Sequence, residues 1–351
     1  MIALKNLEGK TIAVMGLAKS GLATLAALKN SGARVLAWDD GEEARKKASA
    51  AGFAVEDLTN SDWTKINSLI LSPGIPHTLP KPHAVAALAK QHGVEIIGDV
   101  ELLFRHFQGK KAPRMVAVTG TNGKSTTTAL IAHLLKSAGR SVEAGGNLGT
   151  PVLEFPEFSE SGFYVIEMSS FQCELTPSAN FNVVAWLNIT PDHLDRHGDM
   201  QGYVKAKTLL LKNGNPHLVI GVDDEPSRDV ATHYGTITPI SAERMLEHGV
   251  SGVNGAIYID GTKLISFAGA KALPGAHNAQ NAAAAFAVCH AMGIDTVSIE
   301  QALLTYPGLP HRQQLTRTIG NVRFINDSKA TNADASSKAL SCYDAIYWIL
   351  G

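Results

Sequence analysis

Short runs of consecutive apolar residues alternate with alanine- and leucine-rich stretches along most of the chain. Such runs are typical of the buried strands of parallel sheets, because helices cover these strands on both faces. The alternation therefore predicts an α/β fold with parallel sheets. The predicted strands are residues 11–15, 34–38, 68–71, 115–118, 163–166, 182–187 and 217–220, and helices are predicted at 22–30 and 127–137.

Two polar segments rich in turn-forming residues interrupt this alternation, each just before new strand-like sequence. They are residues 108–114 and 306–310, and domain boundaries usually fall in segments of this composition. We therefore predict a first domain over 1–112, a second over 113–310 and the beginning of a third over 311–351. A stretch of about 41 residues is too short to form a core of its own, so we expect this third domain to be incomplete.

Composition narrows the classes of protein to which the chain can belong. Of the 351 residues, 45% are hydrophobic and 18% are charged, which is typical of folded globular proteins and not of disordered ones. The formal net charge of -1 leaves no basic excess for binding a nucleic-acid backbone or an anionic membrane surface. The longest apolar run, residues 282–289, is much shorter than the roughly 20 residues that span a bilayer.

The first residues and the cysteines bear on the cellular compartment. The chain does not open with a basic segment followed by an apolar one, so we expect no secretory signal. Cys173, Cys289 and Cys342 are widely separated and odd in number, which predicts buried thiols and not a disulfide framework or a metal pair. We therefore expect a cytoplasmic protein without membrane insertion, and we expect a monomer.

The strongest chemical signal is the segment Val-Thr-Gly-Thr-Asn-Gly-Lys-Ser-Thr at residues 118–126. Gly120 and Gly123 would let the backbone wrap closely around a phosphate, while Lys124 supplies a cation and Ser125 a hydroxyl for Mg²⁺. The spacing differs from that of the standard P-loop, which has glycine where Val118 stands. An ordinary strand-to-helix turn is the alternative, and we predict a nucleotide-binding loop.

Two later predicted strands end in groups that suit a metal ion. Glu167 follows one of them, and Asp192, His193 and Asp195 follow another. In a parallel sheet these ends lie on the same edge as the phosphate loop, where a carboxylate can hold Mg²⁺ beside a phosphate. A solvated carboxylate is the alternative for Glu167, and a structural role is the alternative for His193, because Mg²⁺ prefers oxygen ligands.

Other positions are less specific. The segment 16–21, Gly-Leu-Ala-Lys-Ser-Gly, is a weak match to a dinucleotide fingerprint because Ala18 replaces its middle glycine, and a turn without ligand is the alternative. Asn278 precedes an alanine-rich stretch that runs through Cys289, so we predict that it caps the N-terminus of a helix. By composition alone Lys207 is predicted to be a solvated helix lysine.

Taken in order, four segments resemble the Mur ligase family, whose members build the peptide stem of bacterial cell-wall precursors. Four further segments resemble the members that add D-glutamate to UDP-N-acetylmuramoyl-L-alanine, and the resemblance extends over the whole chain. The first four segments are residues 119–126, 167–172, 188–195 (Asn-Ile-Thr-Pro-Asp-His-Leu-Asp) and 275–281 (Gly-Ala-His-Asn-Ala-Gln-Asn). The second four are residues 71–75, 98–102, 308–312 and 325–332.

The resemblance implies a fold and an activity. It implies a Rossmann-like first domain that binds the UDP-sugar, a central ATPase domain of the P-loop type and a third, Rossmann-like domain. It also implies ATP-dependent amide formation through an acyl phosphate, with ATP, UDP-N-acetylmuramoyl-L-alanine and D-glutamate as substrates and Mg²⁺, expected as two ions, as cofactor. Because the third domain is expected to be incomplete, we expect poor turnover.

The resemblance also assigns roles to individual residues. Those implied to bind ATP are Gly120, Thr121, Asn122, Gly123, Lys124, Ser125, Thr126, Asn278, Asn281, Arg312 and Asp327. Those implied to bind the UDP-sugar are Leu17, Lys19, Ser20, Asp39, Ser72, Pro73 and Gly74. The implied catalytic residues are Lys124, Glu167, His193, Lys207 and Asn147, and Lys329 and Thr331 are implied to face the incoming amino acid. Ser125 and Glu167 would attend one metal ion, and His193 together with Lys207, if CO₂ carbamylates it, the other.

Alternative functions remain open at this stage. A sister Mur ligase or a ligase resembling folylpolyglutamate synthase would differ in the amino acid that it adds. A P-loop kinase or nucleotide switch would turn over ATP without any amino acid. A nucleotide-binding fragment without catalysis is the remaining alternative.

Overall fold

The computed structural model describes residues 2–330 and 333–349, apart from the side chains of residues 334 and 335. The strands are β1 Thr11–Met15, β2 Arg34–Trp38, β3 Ser68–Leu71, β4 Glu95–Ile97, β5 Arg114–Thr119, β6 Val142–Gly146, β7 Phe163–Glu167, β8 Val183–Trp186, β9 His217–Gly221, β10 Ile237–Ser241, β11 Val250–Val253, β12 Ala256–Ile259, β13 Thr262–Ser266, β14 Gln314–Ile319 and β15 Val322–Asn326. The α-helices are α1 Lys19–Lys29, α2 Glu42–Ala50, α3 Ala84–Gln91, α4 Asp99–Phe107, α5 Lys124–Ser137, α6 Ser170–Glu174, α7 Leu194–His197, α8 Met200–Thr208, α9 Glu225–Thr232, α10 Ala276–Ala291, α11 Thr296–Thr305 and α12 Ala333–Leu340. Short 3-10 helices lie at Lys5–Leu7, Leu58–Asn60, Trp63–Lys65, Val152–Glu154 and Leu209–Leu211.

The predicted α/β fold class is confirmed. Strands β1, β2 and β3 have the predicted bounds, and the other predicted strands and helices are found with ends shifted by one to three residues. The two polar segments at 108–114 and 306–310 lie between elements, immediately before or at the start of β5 and before β14. Apolar runs therefore located the strands, whereas the exact ends depend on hydrogen bonds that the pattern does not report.

The chain divides into two compact units. The first comprises Met1–Thr119, Glu143–Val184 and Pro191–Pro216, and the second comprises Gly120–Val142, Ala185–Thr190 and His217–Gly351. This division follows the density of packing, while the boundaries near residues 112 and 311 that we expect from the sequence remain a prediction.

The first unit contains a parallel sheet with the strand order β2-β1-β3-β4. Side chains of Met15, Leu69 and Leu71 lie in its core together with Trp63, whose indole nitrogen donates to the Leu58 carbonyl at 3.0 Å. In the same unit β5 pairs in parallel with β7, which lies next to β6. The carboxyl ends of β5 and β7 therefore lie side by side.

The second unit contains the strand order β13-β12-β11-β10-β9. Strands β9, β10 and β11 are parallel, but β11, β12 and β13 form an antiparallel meander, which the apolar runs do not predict. The two tight turns are Asn254-Gly255 and Asp260-Gly261, and all four residues have positive φ. Asn-Gly and Asp-Gly turns are a strong hairpin signal, which the sequence contained. Strands β14 and β15 form a separate antiparallel hairpin.

Helix α10 packs against α5 and against strands β9 to β11. The alanines between its two ends are buried, and their small side chains allow close approach of neighbouring backbones. Within the part of the chain that the structure describes, no helix has the length and apolarity needed to cross a membrane.

The cysteines are free thiols. Cys173 and Cys289 are buried as predicted, and burial raises the pKa of the Cys289 thiol well above its usual range. Cys342 is only half-buried, so the expectation of a fully buried thiol is wrong at that position.

The carboxyl of Asp99, at the start of α4, is buried, and we therefore expect the stability of the protein to depend on pH. Burial raises the pKa of its carboxyl to about 6, although the backbone N–H of Val100 donates to it at 2.9 Å. The pKa of this carboxyl in the unfolded chain is about 4, so the folded state holds the proton more tightly than the unfolded state does. The resulting contribution to stability is fully present below about pH 4 and is lost as the pH rises through about 6. A shift of two units corresponds to about 3 kcal/mol.

We expect Asp99→Asn, which keeps the acceptor oxygen, to unfold at a higher temperature than the parent at pH 8 and to lose most of this advantage at pH 4.5. Thermal unfolding at the two pH values measures the difference. Asp57→Asn is the matched control, because hydrogen bonds from Thr59 lower the pKa of Asp57 and reverse the sign of the effect. An equal difference at both pH values would contradict the buried-carboxyl explanation.

Candidate functional site

The phosphate loop begins directly after β5 and ends at the first turn of α5. Gly120 and Gly123 have φ values of 145° and 85°, in the region that favours glycine. A Cβ atom at Gly120 would lie 3.0 Å from the Cβ of Leu187, and one at Gly123 would collide with the carboxamide oxygen of Asn281. Both glycines are therefore required by backbone conformation and by space.

Asn188 holds this loop from the side. Its Oδ1 accepts from the backbone N–H of Asn122 at 2.9 Å, and its Nδ2 donates to the Asn122 carbonyl at 3.2 Å and to Gln280 Oε1 at 2.9 Å. The Asn188 carbonyl in turn accepts from the N–H of Thr121 at 2.8 Å. The sequence reasoning placed Asn188 in a family segment but assigned it no role, because its partner lies 66 positions away.

Lys124 and Ser125 stand at the start of α5. The Lys124 ammonium donates to the carbonyls of Gly120 and Thr121 at 3.0 and 2.7 Å, so its positive charge lies over the loop. The guanidinium of Arg312 donates to the Ser125 hydroxyl at 3.0 Å. A cation over the loop and a second one at the helix start suit the phosphates of a nucleotide.

A cavity of about 450 Å³ opens beside the loop in the second unit. This volume is within the range of small-molecule sites. Its wall also includes Asn188, Gln280 and Tyr306, which the sequence reasoning did not assign. Of the residues that we expect to bind ATP, those lining the cavity are Asn122, Gly123, Thr126, Asn278, Asn281, Arg312 and Asp327.

Helix α10 begins earlier than predicted. Its N-cap is Gly275 and not Asn278, which lies in the first turn. The Asn278 side chain instead donates to the Pro274 carbonyl at 2.7 Å and accepts from Asn281 Nδ2 at 3.0 Å. Asn281 also accepts from the Thr127 hydroxyl of α5 at 3.1 Å. This chain of amides fixes the two asparagines that face the cavity.

The residues after 310 contribute unequally to the cavity. Asp327 Oδ1 accepts from the N–H of Gln313 at 2.9 Å, and burial raises the pKa of Asp327. Lys329 is exposed. Thr331, which we expect on the amino-acid side, lies outside the described residues.

In the first unit, Glu167 at the end of β7 is buried, so the alternative of a solvated carboxylate is wrong. Asn147 donates through Nδ2 to Glu167 Oε1 at 2.9 Å, and the Asn147 N–H donates to the Glu167 carbonyl at 3.0 Å. The two predicted catalytic residues are thus neighbours.

Lys207 is 1% exposed, so its interpretation as a solvated lysine is wrong. Its Nζ lies 3.2 Å from the Thr119 hydroxyl at the end of β5 and 4.8 Å from the centre of the Tyr203 ring. Thr119 in turn donates to the Met168 carbonyl at 2.9 Å. Lys207 therefore reaches the carboxyl end of β5, next to the end of β7.

His193 precedes α7 in a left-handed conformation, with φ 52°, and its ring is half-exposed. Its Nε2 lies 3.5 Å from Asp192 Oδ2, and Asp195 is exposed. Among the described residues, the structure contains no group of three or more His, Cys, Asp or Glu side chains arranged to hold a metal ion. The metal-binding roles therefore remain predictions.

The residues implied to bind the UDP-sugar lie at the carboxyl ends of β1, β2 and β3. Asp39 accepts from the N–H of Leu17 at 2.6 Å, and the Ser72 hydroxyl donates to the Gly16 carbonyl at 3.2 Å. These bonds link the three turns. Lys19 and Gly74 are exposed there, whereas Ser20 and Pro73 are half-buried.

The position of Asn188 leads to a prediction for the loop. We expect Asn188→Ala to weaken ATP binding about tenfold and to lower the free energy of unfolding by about 1–3 kcal/mol, because the hydrogen bonds between Asn188 and Asn122 are lost. ATP titration by calorimetry and thermal unfolding measure the two effects.

The matched control is Asn213→Ala, which also removes two amide-to-carbonyl bonds, to Pro177 and Ala179, but in the first unit. It should cost stability and leave ATP affinity unchanged. Equal ATP affinities of all three proteins would show that Asn188 does not shape the loop.

Comparison with known proteins shows to which family the sequence is similar. Residues 118–289 match the model of the Mur ligase middle domain. The UDP-N-acetylmuramoylalanine--D-glutamate ligase of Phenylobacterium zucineum is 46% identical over 100% of this chain and 78% of its own length. The ligase of the same name from Paramagnetospirillum magneticum is 47% identical with the same coverage.

Solved structures share the fold at low identity. UDP-N-acetylmuramate-alanine ligase from Thermotoga maritima matches with a TM-score of 0.60 and 20% identity over 95% of this chain and 77% of its own. The UDP-N-acetylmuramate:L-alanyl-gamma-D-glutamyl-meso-diaminopimelate ligase from Neisseria meningitides matches with a TM-score of 0.60 and 19% identity over 86% of this chain and 99% of its own. The phosphate loop, the cavity beside it and the similarity over the whole sequence agree, and the chain belongs to the Mur ligase family, among the UDP-N-acetylmuramoylalanine--D-glutamate ligases.

Proposed function

We propose that this chain forms an amide bond between D-glutamate and the L-alanine carboxylate of UDP-N-acetylmuramoyl-L-alanine at the expense of ATP. The observation that carries the proposal is the phosphate loop that opens into a cavity lined by amides and Arg312. The D-glutamate specificity is supported by the names of the relatives that are 46–47% identical.

The proposed reaction has two steps, because a carboxylate is a poor acylating agent. A carboxylate oxygen of L-alanine attacks the γ-phosphorus of ATP, the bond from that phosphorus to the bridging oxygen breaks, and ADP leaves. The amine of D-glutamate then attacks the acyl carbon, and the tetrahedral intermediate loses phosphate and a proton. The protein mainly positions the groups and stabilises charge.

Each proposed role follows from a position in the structure. Lys124 neutralises the γ-phosphate, because its ammonium already lies over the loop. Asn147, whose amide is held by Glu167, is proposed to contact the acyl group, as the resemblance implies. Asn278, Asn281 and Arg312 bind the nucleotide from the cavity wall.

Mg²⁺ is part of the proposal. Glu167 fits a divalent cation, because it is a buried carboxylate at the carboxyl end of β7, and carboxylate oxygens are ligands that Mg²⁺ prefers. Glu167 would help to hold one ion, and His193 with a carbamylated Lys207 the other. Bound Mg²⁺ supplies positive charge for the phosphates. The burial of Lys207 supports its proposed carbamylation, since a carbamate can bind a metal whereas an ammonium cannot.

The turns at the carboxyl ends of β1, β2 and β3 are proposed to bind the uridine diphosphate. Backbone N–H groups at the start of α1 suit its phosphates, and Lys19 is exposed beside them. We also propose that Lys329 and Thr331 face D-glutamate. We also propose that the chain acts as a monomer. The reaction is proposed to take place in the cytoplasm, because ATP is available there.

The test is ADP release by the purified chain with UDP-N-acetylmuramoyl-L-alanine, ATP and Mg²⁺, with D-glutamate or with L-glutamate, L-alanine or meso-diaminopimelate. We expect slow release that depends on D-glutamate, with the amide product identified by mass spectrometry. Release that depends on a different amino acid would replace the substrate assignment. Release without any amino acid would indicate a nucleotide hydrolase.

A further inference from the structure

An arginine joins two segments of the first unit that the proposed function assigns to different ends of the same substrate. Arg196 at the end of α7 donates through Nη1 to the carbonyl of Gly74 at 3.0 Å. Its guanidinium carbon lies 4.3 Å from the centre of the Phe171 ring. We call Gly74, Phe171 and Arg196 the arginine bridge.

A second set of contacts supports the bridge on one side. The carboxylate of Glu174 lies 3.9 Å from His77 Nε2 and 3.6 Å from His197 Nδ1. His197 Nε2 lies 2.8 Å from the Ser170 hydroxyl, and its ring stacks on Phe171 with centres 5.3 Å apart. Burial lowers the pKa of His77, so its contact with Glu174 is polar and not ionic at neutral pH.

Gly74 and Phe171, which Arg196 contacts, belong to segments with different proposed roles. Gly74 belongs to the turn 72–74, which we assign to the UDP end, and this turn is tied to the end of β1 through the N–H of Ser72 and the carbonyl of Met15 at 3.0 Å. Phe171 follows Glu167 by four positions, and its ring centre lies 5.0 Å from that of His193. The bridge therefore connects the UDP turn with the segments that carry the proposed catalytic residues.

We propose that Arg196 is a positioning residue that sets the separation between the UDP turn and the catalytic segments, and so makes this site specific for the complete nucleotide-sugar-amino-acid substrate. The inference rests on the proposed function. Binding energy at a remote part of a substrate helps the reaction only when the two parts are held in register. Arginine suits this task because its planar group can stack on a ring and donate in a fixed direction at the same time.

The experiment compares two ligands that differ in length. Isothermal titration calorimetry measures the Kd of UDP, which reaches only the turn, and of UDP-N-acetylmuramoyl-L-alanine, which spans both segments, for the full chain, Arg196→Gln and Arg196→Lys. We expect the Kd of UDP to change less than about twofold and that of the full substrate to rise about tenfold in Arg196→Gln. Arg196→Lys, which keeps the charge and perturbs packing less, should lose preference for the full substrate as well.

Arg34→Gln is the matched control. Arg34 is exposed at the start of β2, whereas the turns proposed to bind UDP follow the carboxyl ends of β1, β2 and β3. It should match the parent for both ligands. The inference is overturned if the Kd of UDP and the Kd of the full substrate rise by the same factor in both Arg196 variants, since Arg196 would then only stabilise the turn. It is also overturned if the preference for the full substrate persists. A parent chain that binds neither ligand would overturn the proposed function together with the inference.

Discussion

Replacing Lys124 by methionine is expected to lower kcat of D-glutamate-dependent ADP release about 10³-fold. In the structure the Lys124 ammonium is held over the phosphate loop by the carbonyls of Gly120 and Thr121. Charge develops on the transferred phosphoryl group, and a positioned cation is worth much more there than in water. Methionine has a similar length and no charge, so the substitution removes the cation and little else.

The control for this prediction is Lys136→Met, an exposed lysine in the last turn of the same helix. It should leave kcat and the unfolding temperature close to those of the parent. Calorimetry with UDP-N-acetylmuramoyl-L-alanine should give the same Kd for Lys124→Met and for the parent, because the loop belongs to the ATP side. A kcat within about tenfold of the parent would remove Lys124 from the proposed charge stabilisation.

The sequence was informative where the physical cause is local. The sequence predicts the bounds of β1, β2 and β3 to the residue, since the central residues of these strands are buried and are therefore apolar. The loop at Gly120 and Gly123 was identified because only glycine adopts those backbone angles without strain. The Asn-Gly and Asp-Gly turns of the meander were equally local signals, and they were overlooked.

Features that depend on tertiary packing were missed or misjudged. Lys205 and Lys207 are two positions apart on α8, yet the first is exposed and the second is buried, and the segment Lys-Ala-Lys does not indicate which faces inward. Asn188 acquires its role only when folding brings it to Asn122. Asn278 was mistaken for an N-cap because Ala276 and His277 before it are also compatible with a helix.

The difference in burial between Lys205 and Lys207 leads to the second prediction of a large effect on kcat. We expect Lys207→Met to lower kcat about 100-fold or more, in line with the loss of a group that holds or orients a metal ion. Lys205→Met makes the same chemical change on the solvent side of the same helix and should leave kcat unchanged. Both proteins should be compared with the parent by thermal unfolding, so that loss of activity can be distinguished from loss of fold.

Native mass spectrometry completes this test, because carbamylation adds the mass of one CO₂. The parent and Lys205→Met should both carry this added mass in bicarbonate buffer, whereas Lys207→Met should not. The position of Lys207 makes the modification plausible chemistry: its nitrogen is enclosed beside Thr119 and Tyr203, where a carbamate would be protected from solvent. Retention of the added mass by Lys207→Met would assign it to a different residue, and full activity of a folded Lys207→Met would remove Lys207 from the catalytic machinery.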